Sequence, residues 1–221
     1  MYYCRHHCLF LLISIVFVLS GCLNRSSPEE KIFKLLENVA SIESEFGKQQ
    51  TPIVKLEENE KKLYDQIIQL GMKEFDQIVK LSDDAITNAH KRKEAMNKER
   101  ESIIASQKEF EKLDKLIGDL KDDKLKKQAQ HVKKLMTERY KSYEKLYNVY
   151  MESIEKDLAV YESFKKEDLT IDELQKSIDH VNASYDQVFK ANNQYNKITA
   201  EYNNEKMDFY KNAKMDVTVE K

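Results

Sequence analysis

Between residues 174 and 209 the apolar residues recur every seven positions. Leu174, Val181, Val188, Tyr195, Tyr202 and Phe209 form one column, and Ile178, Tyr185, Asn192, Thr199 and Lys206 form a second that turns polar toward its end. Two such columns make a seam along one side of an α-helix, whereas a strand alternates with a period of two. The same recurrence marks residues 72–117 through Phe75, Ala89, Met96, Ile103, Phe110 and Ile117, with Ser82 as the polar exception. Residues 124–164 carry Leu125, Ala129, Val132, Met136, Tyr140, Tyr143, Tyr147, Tyr150, Ile154, Leu158 and Tyr161 at helical spacing.

Breakers are scarce: 4 glycines and 2 prolines in 221 residues, with 34% charged residues. Each long segment ends at one of the few stop signals. Gly118 with DLKDD closes one, and KKEDLTIDEL offers a turn followed by Thr170 as an N-cap with Glu173 in capping-box position. Ser27-Pro28-Glu29-Glu30 starts the first helix, with a capping hydroxyl, proline at its first turn and acids at the positive end of the dipole. Ile32, Leu35, Leu36, Val39, Ile42 and Phe46 continue it. Gly47 and QQTP are expected to end it, with Pro52 starting a helix through Ile53, Leu56, Leu63, Tyr64, Ile67 and Ile68.

The expected fold is all-α: an elongated antiparallel up-and-down bundle of four arms, the first broken near Gly47–Pro52. The unbroken arms run roughly 41–46 residues, about 60–70 Å each at 1.5 Å per residue. Gly71 leaves an alternative open, in which one helix runs from Pro52 to Ile117 and the N-terminal helix folds back on a bundle of three. The four-arm reading is preferred.

Cys4, Cys8 and Cys22 are the only cysteines, so residues after 22 hold no disulfide framework, cysteine-based zinc site or cysteine nucleophile. Residues 1–22 have the layout of a secretory signal, with Arg5 beside His6 and His7 and then the apolar run CLFLLISIVFVL. That run is short of the roughly 20 residues a membrane-spanning helix needs. Leu19-Ser20-Gly21-Cys22 follows and is similar to the lipobox of bacterial lipoproteins, which implies cleavage between Gly21 and Cys22 and a diacylglycerol on the Cys22 thiol. Two acyl chains meet the requirement for stable anchoring. An uncleaved anchor with a chance cysteine is the alternative, and both readings put the body outside the cytoplasmic membrane. The expected division is a signal peptide at 1–21, a lipidated tether at 22–27, a helical bundle at 28–214 and a frayed tail at 215–221. Only Leu23 to Ser27 separate the lipid from Pro28, a reach of roughly 20 Å, so the bundle is expected close against the membrane.

Ten of the twelve tyrosines lie after residue 22. Tyr140, Tyr143, Tyr147 and Tyr150 fall on one helix at spacings of three and four. Such a stripe suits stacking on sugar rings, and equally the margin of a narrow core with rings inside and hydroxyls at the rim; the second reading is preferred. HKRKEAMNKER is locally basic, and a hairpin near residue 121 sets Arg100 level with Lys141 and near Arg139. That strip suits an anionic wall polymer or lipid head groups, although interleaved Glu94, Glu99 and Glu101 read more simply as a solvated face. Tyr140, Tyr143, Tyr147, Tyr150, Arg100, Arg139 and Lys141 are therefore the candidate ligand surface. His90 and His180 fall near the level of Glu152 and Glu155, but without a ligand-motif spacing, and no metal is expected. Nor does the chain hold a nucleophile elbow, a phosphate loop or a histidine–carboxylate motif, so neither catalysis nor a cofactor is expected. A net charge of −2 and lysine in excess of arginine argue against nucleic acid as a partner.

LSGC, the nearby SPEEKIFKLLE and the breaker-poor helix ending in NNQYNKITAEYNNEKMDFY resemble, over essentially the whole chain, the YkyA-like family of cell-wall-binding lipoproteins of Gram-positive bacteria. The resemblance implies an all-helical bundle displayed on the outer face of the membrane, and it brings no catalytic residues with it. The weakly basic start of the signal is a small departure that bears on processing. The expected function is non-enzymatic binding of cell-wall material or of an extracytoplasmic protein through the sides of the bundle. Two alternatives stay open: a peptidoglycan-acting enzyme or activator of a wall hydrolase, and a helical spacer or chaperone-like rod for secreted clients.

Overall fold

The computed structural model describes residues 26–215. The expected signal peptide, Gly21, Cys22 and residues 216–221 lie outside the described residues, as does most of the tether. Within them the chain is helical and has no strand: α1 is Pro28–Ile42, α2 Ser44–Ile67, α3 Phe75–Phe110, α4 Leu113–Asp119, α5 Asp123–Phe164 and α6 Ile171–Asn212. Four arms result, formed by α1 with α2, α3 with α4, α5, and α6. Gly71 is a turn with extended backbone. Its N–H donates to the Glu74 carboxylate at 3.1 Å, ahead of a single 3-10 turn at Met72–Glu74.

Two helix starts follow from their capping chemistry. The Ser27 hydroxyl accepts from the Glu30 N–H at 3.2 Å, with Pro28 opening α1. At α6 the Thr170 hydroxyl accepts from the Glu173 N–H at 3.3 Å, while the Glu173 carboxylate accepts from the Thr170 N–H at 3.1 Å.

The break in the first arm is not at Gly47–Pro52. It falls at Glu43, and α2 runs on through both Gly47 and Pro52. Gly47 keeps negative φ and Pro52 faces solvent, so neither residue forces the chain to turn. Glu43 does, because its carboxylate is drawn into the interior and bonded there. The second arm is also interrupted, at Glu111 and Lys112. There the Lys112 N–H reaches the Glu109 carbonyl, three residues back, at 3.2 Å.

The chain divides into two compact units. The first comprises Phe46–Arg100 and Lys145–Asn192, drawn from α2, α3, α5 and α6. Asp83 meets Lys165, Lys93 meets Glu155 and Asn97 meets Tyr147, so α3 and α5 run antiparallel. Tyr64, Ile67, Ile78, Ala85, Val160, Tyr161, Phe164 and Val181 form its apolar cluster. Ser82, the polar exception in its column, is fully buried and donates to the Ile78 carbonyl at 2.8 Å.

The second unit comprises residues 26–45, Glu101–Glu144 and residues 193–215. Here α1 packs on α4, and Phe33 meets Tyr210 edge-on at 4.7 Å between centroids. Phe110 meets Tyr140 and Tyr143 meets Tyr195 in the same way. Each buried ring removes a large apolar area from water and adds about 0.5–1.5 kcal/mol through its edge-to-face pair.

Candidate functional site

The heptad columns pass through charged residues without interruption. Along the second arm, through α3 and α4 to the residue that ends α4, Ala85, Arg92, Glu99, Ser106, Leu113 and Leu120 are seven apart in a second column, and all are buried. In α5, Tyr143, Tyr150, Asp157 and Phe164 form one column and Val132, Arg139, Leu146, Ser153 and Val160 another. Glu60 lies seven residues from both Ile53 and Ile67, and Glu43 seven from Leu36. The apolar periodicity thus carries six charged side chains inside, where each needs a partner.

In the first unit the partners converge on Arg92, which is 1% exposed. Its Nη1 donates to Glu60 Oε2 of α2 at 2.9 Å, and its Nη2 to Asp157 Oδ2 of α5 at 2.9 Å. Nη2 also donates to the Tyr185 hydroxyl of α6 at 3.0 Å, and that hydroxyl donates to Asp157 Oδ2 at 2.6 Å. Asn88 Nδ2 donates to the Leu56 carbonyl at 2.7 Å and to Glu60 Oε2 at 3.3 Å. The Tyr150 ring lies 5.3 Å from the guanidinium, and its hydroxyl donates to Glu57 at 2.5 Å. One guanidinium therefore ties four helices together and faces two buried carboxyl groups.

Burial is the largest influence on both carboxyls. It pushes Glu60 up from the ordinary 4.5 to about 7, against the pull of Arg92 and with the help of Asp157. Burial raises Asp157 as well, against Arg92 and the Tyr185 hydroxyl. For Arg92 burial opposes the charge, but Tyr150, Tyr185, Glu60 and Asp157 outweigh it and hold its pKa well above the usual value. Asp157 also lines a water-sized, partly open hollow with Tyr64, Val160, Tyr161, Ile178 and Val181.

The second unit has its own cluster with a different charge balance. Arg139 grips Glu43 as a fork, Nη1 to Oε1 at 2.9 Å and Nη2 to Oε2 at 2.8 Å. Its Nε donates to Thr199 at 3.1 Å and its Nη2 to the Tyr195 hydroxyl at 2.6 Å. Ser106 donates to Glu43 at 2.5 Å and shares a 2.6 Å bond with the Tyr140 hydroxyl. One cation meets one anion, and Thr199 puts the polar column of α6 to use. Lys206 of that column bonds Glu37 of α1 at 3.4 Å.

The seven candidate surface residues separate. Tyr140, Tyr143, Tyr150 and Arg139 are inside, each 6% exposed or less. Tyr147 is half-buried and Lys141 is exposed. Arg100 lies over the Tyr147 ring, 4.7 Å from its centroid, and the Tyr147 hydroxyl donates to Asn97 at 2.7 Å. Glu155 pairs with Lys93 and Glu152 with Lys156. Among the described residues no three histidine, cysteine, aspartate or glutamate side chains gather as a metal site, and no helix is long and apolar enough to cross a membrane.

Residues 27–212 match the model of a family described as "Putative cell-wall binding lipoprotein", YkyA. The lipoprotein YkyA of Bacillus subtilis, itself uncharacterised, is 33% identical over 197 residues, covering 89% of this chain and 88% of the relative. A crystal structure of a conserved Staphylococcus aureus protein of unknown function superposes with a TM-score of 0.74. It covers 85% of this chain and 97% of that one at 19% identity, a likeness of fold.

Proposed function

The chain belongs to this YkyA family, and from that premise we propose that it is a non-enzymatic lipoprotein, held at the outer face of the membrane through Cys22, that binds wall polymer through a helix side of its first unit. The observation that carries the choice of surface is the Arg100–Tyr147–Asn97 group. A guanidinium laid over a phenol ring offers a cation, an apolar face and amide polarity in one patch, which suits an anionic, sugar-containing chain. The buried Arg92 cluster supports a binding role over a hydrolytic one. Its two carboxyls face the same guanidinium at no more than 7% side-chain exposure, where no sugar chain reaches them.

Purified wall sacculi should retain the mature protein, with retention weakening as salt rises. Replacing Arg100 by Ala removes a half-buried surface cation–π pair worth about 0.5–1 kcal/mol, which is about two- to fivefold in dissociation constant. Equal loss of binding with sacculi stripped of teichoic acid would identify the anionic polymer as the ligand. No retention on either preparation defeats the wall-binding reading.

A further inference from the structure

The two buried clusters differ in one respect that has consequences. Arg139 faces one carboxylate and satisfies both its oxygens. Arg92 faces two, one on each terminal nitrogen, so the fully ionised cluster carries a surplus negative charge away from water. A buried surplus charge is relieved most readily by taking up a proton.

We infer that the Glu60–Arg92–Asp157 cluster makes the first unit a proton-responsive element, in which one proton held on the carboxyl pair fastens α2, α3, α5 and α6 together and its loss loosens them. The geometry assigns the proton to Glu60. Asp157 Oδ2 receives bonds from both Arg92 and the Tyr185 hydroxyl, which suit an anion, whereas Glu60 receives Arg92 and a long bond from Asn88. Every element packed around Glu60 contributes to its setting: Glu57 on its own helix, Arg92 on α3, Asp157 and Tyr150 on α5, and Tyr185 on α6. Arg92 and the Asn88 hydrogen bond favour the Glu60 anion, while burial, Asp157 and Glu57 oppose it. A water-sized, partly open hollow lies beside Asp157.

Glu60 holds its proton more tightly folded than unfolded, so its contribution is full below the ordinary carboxyl range and is lost as pH rises through about 7.

Hydrogen exchange on the mature lipidated protein in detergent tests this, read as protection factors corrected for intrinsic exchange. Backbone amides around Glu60, Arg92, Asp157 and Tyr185 should lose about tenfold protection between about pH 6 and about pH 8. Amides around Glu43 and Arg139 should change little over that range. Glu60→Gln should abolish the pH dependence. Asp157→Asn should abolish it too, by leaving Arg92 a single carboxylate, and it decides the matter if the Glu60 variant does not fold. The inference is overturned if the parent loses no protection, if both units lose it equally, or if the loss persists in the folded variants.

Discussion

Arg139 and Arg92 illustrate how a buried charge is tolerated. A guanidinium deprived of water is costly unless its donors are met, and a well-made buried pair contributes less to net stability than its short bonds suggest. Removing one partner is another matter. Arg139→Met should cost about 3–5 kcal/mol in urea denaturation, because Glu43 is then left charged and buried. Replacing both, as Arg139→Met with Glu43→Leu, should recover most of that loss. If the single variant costs no more than the double, the pair is not what holds α1 to α5. Residue types alone do not reveal these pairings. Arg92 sits inside HKRKEAMNKER, where neighbouring lysines and glutamates suggest a solvated face. The signal was phase: Arg92 and Glu99 continue the column of Ala85 and Leu113, and Glu60 stands midway between Ile53 and Ile67. Composition conceals such residues, while strict seven-residue counting through polar positions finds them.

Helix ends followed local chemistry more faithfully than helix breaks. Ser27, Thr170 with Glu173, and Gly71 act where their side-chain or backbone chemistry places them. Gly47 and Pro52 do not, since a breaker only lowers the odds of helix and packing on either side can carry a helix through. Gly47 therefore carries an avoidable entropic cost. A Cβ built there meets nothing within 4 Å, so Gly47→Ala should raise stability by about 0.5–1 kcal/mol. The urea midpoint measures it, and a lowered midpoint would mean that helix at Gly47 is not the favoured state. Glu43, in contrast, marks a break through a contact with Arg139, 96 positions away along the chain. No local signal encodes that.

For the molecule as a whole, the division of labour lies between an anchor and a helical body. If the thiol of Cys22 carries the lipid, Cys22→Ala should abolish incorporation of a labelled fatty acid and the mass shift from precursor to mature protein. Label retained in the variant would place the acyl group elsewhere. The body needs no cysteine for its stability, because its helices are held by apolar columns and by two arginine-centred clusters, one in each compact unit. The absence of tryptophan and the many tyrosines fit that construction. A tyrosine buries a ring and still delivers a hydroxyl, as Tyr185 does for Arg92 and Tyr195 for Arg139.

Seven-residue periodicity, scarce breakers and capping residues were enough to specify an all-helical chain of four arms. These are local properties, set by backbone geometry and by which face of each helix avoids water. The division into two units, the break at Glu43 and the sorting of the tyrosine stripe into buried Tyr140, Tyr143 and Tyr150 and surface-facing Tyr147 came from packing. So did the pairing of each arginine with its acids. A charged residue on a core column specifies that a partner must exist, but its identity depends on which helices meet at that level. That is a contact between distant parts of the chain, and only the folded molecule brings them together.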